Sequence, residues 1–229
     1  MAVQFDSYDK SYGAVVQSSF DFSGLPHSFF MAAKADLLRD LIATRLDSKH
    51  KSTALDVGCG VGAFHPMMRG MFQRLYGTDV SAASIEQAKR SNPEVEYEDY
   101  DGEVLPYGHA TFDVATVICV MHHVPAEKWC GFLREIRRVV RPGGLVCIIE
   151  HNPFNPLTRL AVSRCEFDRD AVLLPAGQTH RLMTDAGLRE VETRYFLLLP
   201  WATPLMRRIE HSFRRVPLGA QYVTCGIAW

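Results

Sequence analysis

The apolar run Thr53–Val57 (TALDV) passes without a break into Gly58-Cys59-Gly60-Val61-Gly62, and this junction constrains the fold more than any other stretch of the chain. So short an apolar run reads as a strand buried on both faces. The glycines after it allow a tight turn and leave no side chain to keep the backbone away from a ligand. A second run, Leu75–Val80 (LYGTDV), brings Asp79 to a strand end. Asp79 follows the glycines by about twenty residues, where a carboxylate can accept hydrogen bonds from both hydroxyls of a ribose. Together the two features predict a nucleotide-type site. The spacing is GxGxG, so the dinucleotide fingerprint is not cleanly matched.

The rest of the pattern extends this into alternating strands and helices. Ser81 is placed to cap a helix through about Arg90, which Ser91-Asn92-Pro93 stops. Val95–Tyr97 reads as a short third strand and Phe112–Cys119 as a central one. Pro125 suits the first position of a helix to about Val140, with Trp129, Phe132, Leu133, Ile136, Val139 and Val140 at helical spacing. Arg141-Pro142-Gly143-Gly144 is expected to break it before a fifth strand, Leu145–Glu150. Asn152–Leu174 reads as irregular, then come a helix around Ala176–Ala186 ending at Gly187, and last strands at Arg189–Leu198 and Ala220–Trp229 flanking a basic helix near Leu205–Arg215.

Composition bears on function mainly by exclusion. With 25 Lys plus Arg against 26 Asp plus Glu, the chain lacks the bulk positive charge of a non-specific nucleic-acid binder. Its 47% apolar content suits one substantial core, so a single domain over 1–229 is expected. The six cysteines are scattered, which favours reduced thiols over a zinc site or a disulfide framework. No run is long enough to span a bilayer and no secretory leader is evident, so a cytoplasmic location is the expectation.

The segments LDVGCGVGAF, YGTDVSAASIEQAK, EDYDGEVLPYGHATFDVATVICVMHHVP and IRRVVRPGGLVCIIE, in that order, resemble the class I S-adenosylmethionine-dependent methyltransferases. The resemblance implies a Rossmann-like α/β fold: a doubly wound, seven-stranded, mostly parallel sheet whose last strand, here Ala220–Trp229, runs antiparallel. It implies S-adenosylmethionine as cofactor and S-adenosylhomocysteine as product. Matched by position, Asp56, Gly58, Cys59 and Gly60 would hold the methionine end, Asp79 the ribose with Val80 beside the adenine, and Asp101 with Gly102 the adenine edge. Cys119 would back the methyl-bearing sulfur. Tyr8 and Tyr12 match aromatic residues of an N-terminal lid, Tyr12 over the cofactor and Tyr8 toward the acceptor. Residues 1–50 would form that helical lid, 51–150 the cofactor-binding half, and 151–229 the substrate-side segment and C-terminal strands.

Ligands of open α/β sheets sit beyond the carboxyl ends of the strands, so His122, His123, Glu150, His151 and Asn152 should face the acceptor. A neutral imidazole can take a proton from an attacking group, which makes His123 or His122 a candidate base; packing is the alternative role. His151 and Asn152 are candidate acceptor contacts. No metal is expected: Asp168, Arg169 and Asp170 read as an exposed polar turn without suitably spaced histidine or cysteine ligands. Arg207, Arg208, Arg214 and Arg215 read as a solvated face, with an anionic-substrate pocket or contact with a membrane surface as alternatives. Asn152-Pro153-Phe154 is similar to the Asn-Pro-Pro-aromatic signature of adenine methyltransferases but lacks one proline and follows the fifth strand, so nucleic acid is not the expected partner. The segments EHNPFNPLTR, CEFDRDAVLLPAG and RRVPLGAQY resemble bacterial methyltransferases of small-molecule or surface-polymer pathways, leaving a small-molecule acceptor expected and a lipid or surface-polymer precursor as alternative. Oligomeric state is not readable. A nicotinamide-dependent oxidoreductase and a non-catalytic cofactor-binding protein are the readings of other classes.

Overall fold

The computed structural model describes residues 17–19, 21–46, 53–198 and 212–229. Its helices are α1 (His27–Arg45), α2 (His65–Met68), α3 (Ala82–Ser91), α4 (Trp129–Val139), α5 (Pro156–Arg164) and α6 (Ala176–Asp185). Its strands are β1 (Thr53–Val57), β2 (Arg74–Asp79), β3 (Glu96–Asp99), β4 (Phe112–Ile118), β5 (Val140–His151), β6 (Arg189–Phe196) and β7 (Gln221–Ile227).

The strands make one seven-stranded sheet in the order β3-β2-β1-β4-β5-β7-β6. β1 to β5 pair in parallel, and β7 runs antiparallel to both β5 and β6. This is the doubly wound arrangement the sequence implied. Alternation along the central strands feeds two cores. Leu55, Val57, Ala115 and Val117 face Phe132, Leu133 and Ile136 of α4 and Met183 of α6. Ala54, Val114, Leu145 and Cys147 face Leu38 and Leu41 of α1 and Met68 of α2. Strands buried on both faces are mostly apolar, which is why β1 and β4 were legible as runs despite the buried polar residues Asp56, Asp113 and Thr116.

Local chemistry sets the boundaries. The Ser81 hydroxyl accepts from Ser84 N at 3.1 Å and caps α3. Pro26 precedes α1 without a side-chain cap of its own, and Gln17 Oε1 accepts from His27 N at 2.7 Å instead. Gly187 takes φ +88° after α6, as a left-handed cap should.

Three expectations need correction. Pro125 does not open the helix: its ψ of 137° is extended, a 3₁₀ turn Ala126–Lys128 follows, and α4 begins at Trp129. Arg141–Gly144 does not separate helix from strand, because β5 starts at Val140 and Gly143 and Gly144 pair with Ala228. A side chain at Gly144 would stand 2.7 Å from Asp113 O, so glycine is what lets the two strands close there. Within Asn152–Leu174, α5 forms because the Asn155 side chain accepts from Leu157 N and Thr158 N while Pro156 takes the first turn. The basic segment 205–211 lies outside the described residues, and Arg214 and Arg215 sit in a turn. No described helix is long and apolar enough to cross a membrane.

Candidate active site

β1 and β4 lie side by side at the centre of the sheet, and the loops leaving their carboxyl ends diverge. A cavity of about 940 Å³ opens between these loops, α1 and α5. At one end the Gly58–Gly62 loop folds back over β2, with Gly58 N and Cys59 N both donating to Thr78 O. Gly58 has φ +76°, and a Cβ there would stand 2.5 Å from Val120. Gly60, at φ +53°, has nothing within 4 Å of where a Cβ would be. The loop therefore packs tightly on one side and leaves its backbone open on the other.

Asp79 joins this loop to the adjoining helix. Its Oδ2 accepts from Gly60 N at 2.8 Å and its Oδ1 from Ser81 N at 3.0 Å. Withdrawal from water raises its pKa, against the pull of those N–H groups. A carboxylate has about four lone-pair sites, so Asp79, which lines the cavity, keeps acceptor capacity beyond its backbone N–H donors. Val80, Tyr100, Asp101 and Gly102 line the same end. The Asp101 carboxylate accepts from Val104 N and Glu103 N, which lower its pKa and fold the turn it belongs to. Asp56 is a buried pin: Thr116 Oγ1 donates to it at 2.7 Å and His65 Nε2 lies 3.2 Å away. Burial, with Asp56 and Asp79 adding, pushes the Cys59 thiol well up and keeps it protonated.

At the other end β4 stops at Cys119, a non-glycine residue at φ +57°. The 3₁₀ turn Met121–His123 follows, pinned by Trp129 Nε1, which donates to Met121 O and Val124 O. Glu150, fully buried at the end of β5, accepts from Val120 N and Met121 N through Oε1 and meets His122 Nδ1 at 2.6 Å through Oε2. Asp168 comes from the 3₁₀ turn Glu166–Asp168, and its Oδ1 stands 3.4 Å from both His122 Nε2 and His123 Nε2. Burial opposes charge on His122, but Glu150 and Asp168 outweigh it and hold the pKa well above the usual range. His123 is pushed down to about 4 by burial and by its charged neighbour His122. Asp168 falls to about 2, since contact with His122 outweighs its desolvation.

Between the two ends, Cys119 Sγ lies 3.6 Å from Lys34 Nζ and 3.5 Å from Gln221 Nε2. Burial disfavours the thiolate, yet Lys34 and His151 bring Cys119 down to about 7. The Gln221 amide also meets His151 Nδ1 at 3.3 Å.

Residues 55–148 match the family described as "Methyltransferase domain". The chain is 32% identical over 111 residues to a malonyl-[acyl-carrier protein] O-methyltransferase of Pseudescherichia vulneris, covering 47% of this chain and 42% of that protein. It is 28% identical over 170 residues to the mitochondrial arginine-hydroxylase NDUFAF5 of Danio rerio, covering 70% of this chain and 52% of the relative. A Thermotoga maritima structure described as an S-adenosylmethionine-dependent methyltransferase, possible histamine N-methyltransferase, superposes over 100% of both chains with a TM-score of 0.68 at 17% identity, a likeness of fold. Residues 55–148 thus match a methyltransferase domain, and the likeness to solved methyltransferase structures is one of fold. It spans about half the length of the curated relatives it matches.

The cavity collects most of the residues singled out from sequence: Asp56, Gly58, Cys59, Gly60, Asp79 and Val80 with Asp101, Gly102 and Cys119 toward the glycine loop, and His122, His123 and His151 beyond it. Tyr8 and Tyr12 lie outside the described residues. Asn152 is not on the cavity wall. Its Nδ2 donates to Pro217 O and Gly219 O and its Oδ1 accepts from Phe154 N, so it ties the loops behind the wall together. Arg214 and Arg215 line a separate cavity of about 370 Å³ beside β6 and are absent from the wall of the larger one. Lys34, Gln221 and the role of Asp168 were missed. Lys34 sits on the buried face of α1 with Met31, Ala35 and Leu38, and a lysine at a helical apolar position was the available signal. Asp168 was read as part of an exposed turn lacking histidine partners, whereas the fold brings it to both histidines.

Proposed function

We propose that this protein transfers a methyl group from S-adenosylmethionine to an O, N or C atom of a small-molecule acceptor. The observation that carries this is the continuity of one cavity from Gly60, Asp79 and Asp101 to His122, His123 and His151, with Cys119 between. Its volume of about 940 Å³ is at the upper end of what one small-molecule site uses, so a nucleoside cofactor and a second molecule can share it.

The residues fit the cofactor on their own chemistry. Asp79 offers lone pairs to vicinal hydroxyls, Gly60 exposes backbone without a side chain in the way, and Val80 and Gly102 line the wall where a base would lie. When bound, the sulfonium supplies an electrophilic methyl with a good leaving group. The protein's part is alignment and exclusion of water. Phe29, Phe30 and Met31 of α1 and Leu157 and Ala161 of α5 cover the cavity from the amino-terminal and substrate-side segments. His151 and His123 face the space left for the acceptor, and Glu150 fixes the turn that carries His123. A cavity of this volume supports a free small molecule as acceptor over a polymer strand.

Calorimetric titration with S-adenosylhomocysteine, with NADH and NADPH in parallel, tests the reading. Micromolar binding of the first alone is expected, followed by homocysteine-coupled screening of small acceptors. Binding of a nicotinamide alone would replace the reading with the oxidoreductase one.

A further inference from the structure

We infer that His122, His123 and Asp168 form a site for one divalent transition-metal ion, zinc or a close relative, on the acceptor side of the cavity. Three observations converge. Donor atoms of the three side chains all lie within 4.8 Å of one another. The Asp168 Oδ1 to Nε2 separations, 3.4 Å to each histidine, are long for charge-assisted hydrogen bonds, which favour about 2.7–2.9 Å. They match the edge of a coordination tetrahedron: metal–ligand bonds of about 2.0–2.2 Å put neighbouring ligand atoms about 3.3–3.6 Å apart.

The second observation is the tautomer imposed on His122. Its Nδ1 meets the buried Glu150 carboxylate at 2.6 Å, and that carboxylate is already fixed by Val120 N and Met121 N. Glu150 can only accept, so Nδ1 carries the proton and the Nε2 of a neutral ring points a lone pair at Asp168. Between that Nε2 and Asp168 Oδ1, 3.4 Å apart, stands either the second proton of a charged ring or a metal ion that replaces it. A metal ion there would be shared by both histidines and the carboxylate, whose Oδ1 stands 3.4 Å from each Nε2. A carboxylate behind a ligating imidazole is also how metal sites fix ring orientation and raise ligand basicity.

The third is placement. The donors come from the turn after β4 and from the separate turn Glu166–Asp168, both on rigid supports: Trp129 clamps the first, and Val172 N donates to His122 O beside the second. All three residues line the cavity. Three protein ligands leave a fourth position open toward the acceptor space, the pattern of a working rather than a purely structural site. On the methyl-transfer reading above, that position would hold an acceptor oxygen, a hydroxyl or carboxylate, and orient it toward the cofactor end.

The site itself is tested without turnover. Chelator-stripped protein is titrated with Zn²⁺ by calorimetry and with Co²⁺ by visible absorption, for wild type, His123→Gln and Asp168→Asn, and S-adenosylhomocysteine affinity is measured on the same samples. One equivalent of metal is expected in wild type, with a ligand-field band for Co²⁺. In both variants affinity should fall at least about a hundredfold while S-adenosylhomocysteine still binds. Absence of metal binding by wild type that binds S-adenosylhomocysteine overturns the metal site alone, as does unchanged metal affinity in either variant. Should Asp168→Asn fail to fold, His123→Gln, at a half-buried position, decides. Metal binding without S-adenosylhomocysteine binding would keep the site and sink the methyl-transfer reading.

Discussion

Asp79 serves the turn and, on the proposed reading, the ligand: it accepts from Gly60 N and Ser81 N and lines the cavity with acceptor capacity to spare. Asp79→Ala should therefore weaken S-adenosylhomocysteine binding by roughly 1.5–3 kcal/mol, the worth of charge-assisted hydrogen bonds, measured by calorimetry on the folded variant. Unchanged affinity would place the ribose elsewhere. Cys119 gives a pH signature. Its surroundings are Lys34, His151, Glu150 and the Gln221 amide; burial and Glu150 favour the thiol, Lys34 and His151 the thiolate, and the balance lies near 7, below the ordinary thiol value of 9.0. Thiolate is the reactive form. Alkylation of Cys119 followed by mass spectrometry should accordingly rise with pH through a midpoint near 7. Lys34→Met removes the stabilising cation, so the midpoint should move upward; an unmoved midpoint would show that Lys34 does not act on the thiol. His122 sits between two carboxylates that favour its charged form, so a simple general-base role does not suit it, whereas His123 is held neutral.

At the scale of elements, the glycine turn and the capped helices do the positioning. Gly58→Ala meets two obstacles, a φ of +76° and a contact of 2.5 Å with Val120. It should cost more than about 1 kcal/mol in urea unfolding and weaken cofactor binding along with it. Ser81→Ala removes the α3 cap and should cost about 1 kcal/mol. These two variants separate packing from binding, because Ser81 caps the helix through Ser84 N while Gly58 shapes the loop on the cavity wall. Most of the central elements could be read ahead of time. β1 and β4 lie at the centre of the parallel part of the sheet and are mostly apolar, and α3 carried its own start and stop. The start of β5 and the whole of α5 were not read. Arg-Pro-Gly-Gly looks like a breaker until Ala228 pairs with Gly143 and Gly144. Asn155-Pro156 did carry a cap and a first-turn proline, but a second Asn-Pro step nearby made the segment look like extended loop.

For the whole molecule, ligand binding and stability should be linked, because the cavity is built from elements that meet only in the folded state. S-adenosylhomocysteine at a hundred times its dissociation constant should add about 2.7 kcal/mol. In a thermal melt of a chain this size each kcal/mol is worth about 2–4 °C, and a melt insensitive to ligand would contradict the proposed site. Sequence alone determined the alternation of strands and helices, the glycine turn after β1 and the place of Asp79 at the end of β2. Those features depend on apolar periodicity, on glycines in one turn and on a carboxylate at a strand end, all of them local. Only the tertiary structure decided the histidine end of the cavity. His122, Glu150 and Asp168 belong to three separate segments, and Lys34 and Gln221 reach Cys119 from α1 and β7 across 85 and 102 residues of chain. No local pattern encodes such meetings, because they are set by how the loops beyond one sheet edge pack against one another, and it is packing that turned an apparent surface aspartate into the partner of two histidines.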